Sequence, residues 1–231
     1  DVDSVFGIDP RIFPEAQPIP ILTYQEMREL AYAGFGVFHD EAIVPVVQAK
    51  IPICIKNTNR PEAPGTVIVP QRKYHHGEVV GIASAGGFST IFLSKYMMNR
   101  EVGFGRRLLQ ILEEEQLSFE HVPSGIDSMS IILRRAPLTA SLEKHVLDRI
   151  RKELRPDDVS IEHDLALIMV VGEGMRYAVG IAATACAALA TSGVNIEMIN
   201  QGSSEISIMF GVKEVDQKNA IVALGRALLP H

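Results

Sequence analysis

Two cysteines, Cys54 and Cys186, are all that the 231 residues contain. That is too few for a disulfide framework and fits a reducing, cytoplasmic compartment. No apolar run approaches the roughly 18 to 20 residues needed to cross a bilayer, and no basic, apolar leader opens the chain. Positive charge is in deficit: 22 Lys and Arg against 28 Asp and Glu leave a net charge of -6. This argues against a general phosphate-backbone binder, and so against nucleic acid as a partner. The seven histidines show no metal-ligand spacing, and His75-His76 lies in a polar connector, so no metal is expected. G-x-S-x-G, H-E-x-x-H and Walker-type loops are all absent, and with them the common nucleophile–base and phosphate-cradling arrangements. Gly172-Glu173-Gly174 lacks the third glycine of a dinucleotide fingerprint. It reads instead as a turn whose backbone N–H groups hold a carboxylate. The first residue is Asp1 rather than Met, which leads us to expect a piece of a longer protein.

What is present describes a globular chain: 47% hydrophobic and 22% charged residues leave no room for a disordered reading. Residues 1–69 are Pro-rich and hold short elements. Thr23 followed by Glu26 is a capping box, and Met27, Leu30 and Ala31 continue it as a helical apolar stripe. A second helix is expected over 40–49 despite Pro45. Residues 51–55 read as a buried strand, 57–65 as a loop and 66–69 as another strand. Residues 70–76 are polar and read as a linker.

The rest is an internal repeat. A shift of 77 residues places Met98 on Met175, Gly103 on Gly180, Leu112 on Leu189, Glu120 on Glu197, Ser130 on Ser207 and Ile131 on Ile208. In each copy a strand (90–93; 167–171) enters a Gly- and Met-containing turn. A helix (103–115; 180–191), a strand (118–122; 195–199), a strand (128–133; 205–212) and a second helix (141–154; 215–229) follow. The first copy adds a fourth strand at 159–162. The order is β-α-β-β-α-β, with helices on one face of an antiparallel sheet. The second copy lacks its fourth strand, while an orphan strand at 79–85 precedes the first copy. We therefore expect the orphan to complete the second copy's sheet, the first copy being inserted within the second.

The turns 96–103 and 172–180, each between a strand and a helix, are the candidate sites. Methionines there are commonly packing filler. Each turn, however, offers free amides, a following strand edge and a nearby acid, Glu120 or Glu197. A small zwitterion needs N–H donors for its carboxylate and an acid or carbonyls for its ammonium. The first candidate set is Met98, Asn99, Gly103, Phe104, Ser118, Phe119, Glu120, His121, Val122, Ser124 and Asp127. A possible second set is Gly174, Met175, Gly180, Asn195, Ile196, Glu197, Gln201 and Ser203.

The opening Asp1-Val2-Asp3-Ser4-Val5-Phe6-Gly7-Ile8-Asp9-Pro10-Arg11 resembles the end of the nucleotide-binding segment of aspartate kinases. Asn57-Thr58 with Pro61-Glu62-Ala63-Pro64-Gly65-Thr66 resembles the motif closing that family's kinase domain. The two repeats resemble its paired ACT domains, most closely at Val194-Asn195-Ile196-Glu197-Met198-Ile199 and Gln201-Gly202-Ser203-Ser204-Glu205-Ile206. The resemblance covers essentially the whole chain. It implies ATP-dependent phosphorylation of the aspartate β-carboxylate, on the way to lysine, threonine and methionine, with Mg-ATP as substrate of the full-length enzyme. By the same resemblance Asp1, Phe6, Arg11 and Gly36 stand at the ATP site. Phe6 replaces a usual tyrosine, and Gly36 stands where many relatives carry a phosphate-contacting lysine.

The expected architecture is therefore α+β: two ferredoxin-like βαββαβ ACT domains, one inserted in the other, after an α/β tail of an amino-acid-kinase domain. The boundaries are 1–69 for the kinase piece, 70–76 for the linker and 77–86 for the strand completing the second ACT domain. The first ACT domain is 87–164 and the second 165–231. The family's glycine-rich Lys-Phe-Gly-Gly motif and aspartate pocket are not in this sequence, so this fragment alone is expected to be inactive, with no catalytic residue and no cofactor of its own. The expected function is amino-acid feedback sensing, with lysine, alone or with threonine, as effector. The expected partners are the missing kinase half and a second copy through the ACT domains. The rival reading is a free-standing ACT-domain regulatory subunit without kinase activity.

Overall fold

The structure, a computed structural model, describes residues 2–35 and 40–229. The chain divides into two compact units: Asp1–Ala85 with Ala166–His231, and Gly86–Leu165. The second unit is thus a continuous segment flanked on both sides by chain of the first. No helix among the described residues is long and apolar enough to cross a membrane.

In the first unit, β1 (Ile21–Thr23) runs straight into α1 (Tyr24–Tyr32). The junction is the capping box read from sequence. Thr23 Oγ accepts from the Glu26 N–H at 3.1 Å, and the Thr23 N–H donates to Glu26 Oε2 at 2.9 Å. α1 buries Glu26, Met27 and Leu30 on one face. α2 (Asp40–Gln48) keeps Pro45 inside it. β2 (Ile53–Ile55) and β3 (Thr66–Val69) complete a small sheet in the order β1-β3-β2, β1 parallel and β2 antiparallel to β3. The expected buried strand at 51–55 is corrected here. β2 is an edge strand with Cys54 exposed, and Ile51 lies outside it, 54% exposed.

The remainder of this unit is repeat-derived. It holds the start of β4 (Gly81–Ser94), the end of β6 (Asp158–Val171), β8 (Ser207–Lys213) and β7 (Met198–Asn200), in the spatial order β4-β6-β8-β7. α5 (Ile181–Thr191) and α6 (Gln217–Leu228) pack on each other. Ile168, Val170, Leu189, Phe210, Ile221 and Leu224 form the core, which also takes Ile8 and Phe13 from the N-terminal segment. Each such fully buried side chain contributes about 1.5–3 kcal/mol, so this core binds the two parts of the unit together. The Val80 N–H donates to the Val171 carbonyl at 2.8 Å. The strand that precedes the first repeat therefore completes the second repeat's sheet.

The second unit holds β5 (Ser128–Arg134), the rest of β4 and the start of β6, with β5 antiparallel to β4 from Phe88 to Ser94. α3 (Phe104–Glu114) and α4 (Ala140–Leu154) pack together. α3 buries Phe104, Leu108, Ile111 and Leu112, the i, i+4, i+7, i+8 face of a helix. The expected separate strands 79–85 and 90–93 are one strand, β4, and 159–162 and 167–171 are one strand, β6. Gly87 (φ +79°) and Asp164 (φ +60°) have positive φ within them, as at a bulge. The expected gap between 85 and 90 is thus part of one continuing strand with Gly87 at positive φ. Residues 118–122 are not a strand either. The Glu120 and His121 N–H groups both reach the Ile132 carbonyl, His121 and Ser124 make isolated bridges to Ile132 and Met129, and Pro123 has no N–H to extend a ladder. The corresponding strand of the second repeat, expected over 195–199, is shorter and displaced toward the C-terminus, at Met198–Asn200.

Candidate functional site

In the second unit, the chain leaves β4 at Lys95 and makes a tight turn. Met97 is left-handed (φ +60°) and Met98–Arg100 form one turn of 3-10 helix. Met98 is buried, so packing is at least part of its role. The segment 126–127 lies against this turn: the Lys95 N–H donates to the Asp127 carbonyl at 2.8 Å and the Asn99 N–H to the Ile126 carbonyl at 3.2 Å. The structure thus brings Met98, Asn99 and Asp127 together. Gly103 is the residue before α3, left-handed at φ +78°, and a side chain placed there would meet only Arg106 Nε at 3.9 Å. The position that a Gly103 side chain would take is therefore open. Phe104 points into the core, with Lys95 Nζ 5.5 Å from its ring.

The acids differ in how they are engaged. Glu120 pairs with Arg134 at 3.0 Å. Glu101 is paired with Lys95 at 2.6 Å and with Arg107, and the Lys95 hydrogen bond chiefly holds its carboxyl below the ordinary range. Asp127 Oδ1, by contrast, is buried with no hydrogen-bond partner. An orphaned buried acceptor costs free energy unless something supplies a donor. Among the other expected residues, Ser118 is exposed and Phe119 half-exposed, while Val122 packs on the core of this unit. His121 and Ser124 are held by the bridges to β5.

The second expected set sits in the first unit and is differently furnished. Met175 is buried, Gly180 is open and left-handed (φ +100°), and Asn195, Gln201 and Ser203 are exposed. Ile196 packs against the core, and Glu197 pairs with Lys213 at 3.1 Å. Gly174 has no free space: a Cβ there would lie 2.4 Å from the His75 carbonyl oxygen. Of the expected nucleotide-site residues, Phe6 is half-buried and bridges Pro18, and Arg11 is exposed and paired with Asp9 at 2.6 Å. The Arg11 hydrogen bond holds the Asp9 carboxyl below its ordinary range. Asp1 and Gly36 lie outside the described residues. Asp3 accepts from Asn57 Nδ2 at 2.8 Å and from Arg60 at 2.7 Å, joining the opening motif to the one at 57–66.

One polar centre was not expected. Glu26, fully buried, faces Arg72, whose side chain is 4% exposed. Its Oε1 accepts from Arg72 at 2.7 Å and from the Glu173 N–H at 3.0 Å; its Oε2 accepts from Arg72 Nε at 2.9 Å and from the Thr23 N–H. Arg72 also donates to Glu78 at 2.8 Å, and chiefly the Glu26 hydrogen bond raises its pKa above the ordinary arginine value. Sequence reading assigned Glu26 to a helix cap and Arg72 to a polar linker. A lone arginine beside Pro70 gives no periodic signal of burial.

Comparison with known proteins gives two family matches: the amino acid kinase family over residues 1–57 and the ACT domain over residues 168–228. Aspartokinase 3 of Bacillus subtilis is 58% identical over 224 residues, covering 97% of this chain and 49% of that protein. The crystal structure of Clostridium acetobutylicum aspartate kinase matches with a TM-score of 0.94 at 42% identity, covering 99% of this chain and 53% of that one. E. coli aspartokinase III in complex with lysine and aspartate matches with a TM-score of 0.80 at 23% identity, over 100% of this chain and 51% of that one, a likeness of fold alone. The chain spans about half the length of these relatives.

Proposed function

We propose that this chain, which belongs to the aspartokinase family, is that family's regulatory portion, and that it binds an amino-acid feedback inhibitor on the unit Gly86–Leu165. Residues 1–69 are then the closing piece of the kinase domain, 70–76 a linker and 77–86 the strand completing the second ACT domain. The first ACT domain is 87–164 and the second 165–231. The whole protein would phosphorylate L-aspartate with Mg-ATP in the cytoplasm, and its missing kinase half would be this chain's first partner. The amino acid kinase match over 1–57 favours this over a free-standing regulatory subunit.

The observation that carries the sensing role is Asp127 Oδ1, an unspent buried acceptor on the segment that lies against the 95–99 turn. An effector ammonium would satisfy it. The effector carboxylate would take the amides at the start of α3, where the space over Gly103 is open and the helix dipole favours an anion. Lysine is the leading effector because Glu120, Asp127 and His121 make the surroundings acidic and polar, and because a protein of the same fold is known in complex with lysine. Calorimetric titration of the chain with lysine, threonine, methionine and aspartate tests this. We expect lysine to bind, alone or helped by threonine, at one site per chain. If none of the four binds, the sensing role fails.

The same unit leaves Tyr96, Val102 and Ile126 exposed at 77%, 94% and 71%. Apolar side chains and open sheet edges of a small domain are usually covered, and we expect at least a homodimer through the ACT domains. Sedimentation velocity from micromolar to hundreds of micromolar checks this, and a monomer at every concentration would contradict it.

A further inference from the structure

We infer that the turn of the second repeat, Gly172 to Met175, is a carboxylate socket filled by the chain's own Glu26, which latches α1 to that repeat and closes the turn to free ligands. The repeat register carries the first part of the case. The 77-residue shift places Glu173 on Tyr96. In the first repeat the Tyr96 N–H donates to Asp157 Oδ2 at 2.6 Å, and in the second the Glu173 N–H donates to Glu26 Oε1 at 3.0 Å. Both turns therefore hold a carboxylate at the same backbone position. In the second it comes from residue 26, 147 residues away in sequence and in the kinase-type part of the unit.

The socket is complete around that carboxylate. Its two oxygens take four donors: the Thr23 and Glu173 N–H groups and two from Arg72. All four acceptor positions of a carboxylate are thereby used. The contact is reciprocal, because the Thr23 hydroxyl donates to Glu173 Oε1 at 2.8 Å. The walls are backbone. A Cβ on Gly172 would lie 2.4 Å from the Glu78 carbonyl oxygen, and one on Gly174 the same distance from that of His75. The turn thus admits the segment 75–80 at a closeness that only glycine allows, and the Glu173 N–H, the donor the turn offers there, is already spent on Glu26. Movement of α1 relative to the second repeat must break the Glu173 N–H bond to Glu26 and the Thr23 hydroxyl bond to Glu173, and so leave a buried carboxylate short of one donor. The second copy is in this way committed to holding the kinase-type segment, and the first copy is left to bind effector. That division of labour rests on the sensing role proposed above; the socket itself does not.

The test reads the socket directly. In the parent chain, amide exchange followed by NMR should show the Glu173 N–H protected at least about 100-fold relative to that of Gly180, as for an amide that opens only with its structural unit. In Glu26→Gln, either orientation of the amide turns one oxygen into an NH₂ facing two donors. The Glu173 protection should then fall by tenfold or more. In Glu26→Ala, acetate restores the lost atoms from Cγ outward. At fixed ionic strength acetate should raise the melting temperature of this variant by several degrees more than chloride does, and should leave the parent unmoved. Fast exchange at Glu173 in the parent, unchanged exchange in Glu26→Gln, or equal effects of acetate and chloride would each overturn the inference. Lysine titration of the same variants separates the two proposals, since binding on the other unit neither requires nor excludes the socket.

Discussion

Arg72→Met is expected to lower the unfolding free energy by about 3–5 kcal/mol, the cost of leaving one member of a buried pair without its partner. For a chain of this size that corresponds to a fall of about 6–20 °C in the melting transition of the unit that contains it. The reason lies in the geometry of Glu26. With the guanidinium gone, its carboxylate keeps only the Thr23 and Glu173 N–H groups, remains fully buried, and stands near Glu78 with no cation between them. Methionine preserves most of the volume, so packing loss adds little. The pairing can be isolated from other consequences by a double-mutant cycle. Glu26→Gln alone frustrates donors, and Arg72→Met alone strands a charge. Together they remove both charges, so the double variant should be less destabilised than the sum of the singles by at least about 1 kcal/mol. Urea unfolding midpoints at constant m would measure it. Additive losses, or a single-variant change within about 0.5 kcal/mol, would mean that the pair is not the linchpin its geometry indicates.

Much of the fold was legible because it is written twice. The 77-residue register located both helices of each repeat to within a residue or two, and the unpaired strand ahead of the first copy pointed to a nested arrangement. Capping chemistry placed the N-cap of α1 at Thr23, where the box lies. What sequence could not show was continuity through Gly86-Gly87 and through Asp164, since a kinked strand and a turn draw on the same residues. Nor could local pattern connect residue 26 to residue 173. The capping box is a sufficient local explanation of Glu26, so nothing asked for a second role, and a single carboxylate here serves both. The sequence grouped Met98, Asn99 and Asp127, which the structure brings together, but it did not rank the acids. Glu120, Glu197 and Asp127 look equivalent on paper. In the structure the first two pair with Arg134 of β5 and Lys213 of β8, and of the three only Asp127 holds an acceptor oxygen that is buried and unused.

Asp127→Ala should therefore separate binding from folding. An effector ammonium on Asp127 Oδ1 would make a charge-assisted hydrogen bond worth roughly 1.5–3 kcal/mol. Its loss weakens lysine affinity about tenfold to a hundredfold. The unliganded protein should not suffer in parallel. A buried acceptor without a donor costs about 1–3 kcal/mol to keep, so removing it should leave the melting temperature unchanged or raised. Glu120→Ala has the opposite character: it removes an ion pair with the half-exposed Arg134, which also lies over the Phe88 ring at 4.3 Å, and its effect, under about 1 kcal/mol, should fall on stability rather than on binding. Glu197→Ala, on the repeat whose turn is already filled by Glu26, should leave lysine affinity alone. Calorimetry and thermal melts on the three variants, read side by side, give a pattern that packing effects alone do not produce, because a merely structural Asp127 would lose stability and affinity together. Lysine binding to Asp127→Ala with parental affinity would place the effector elsewhere on the chain.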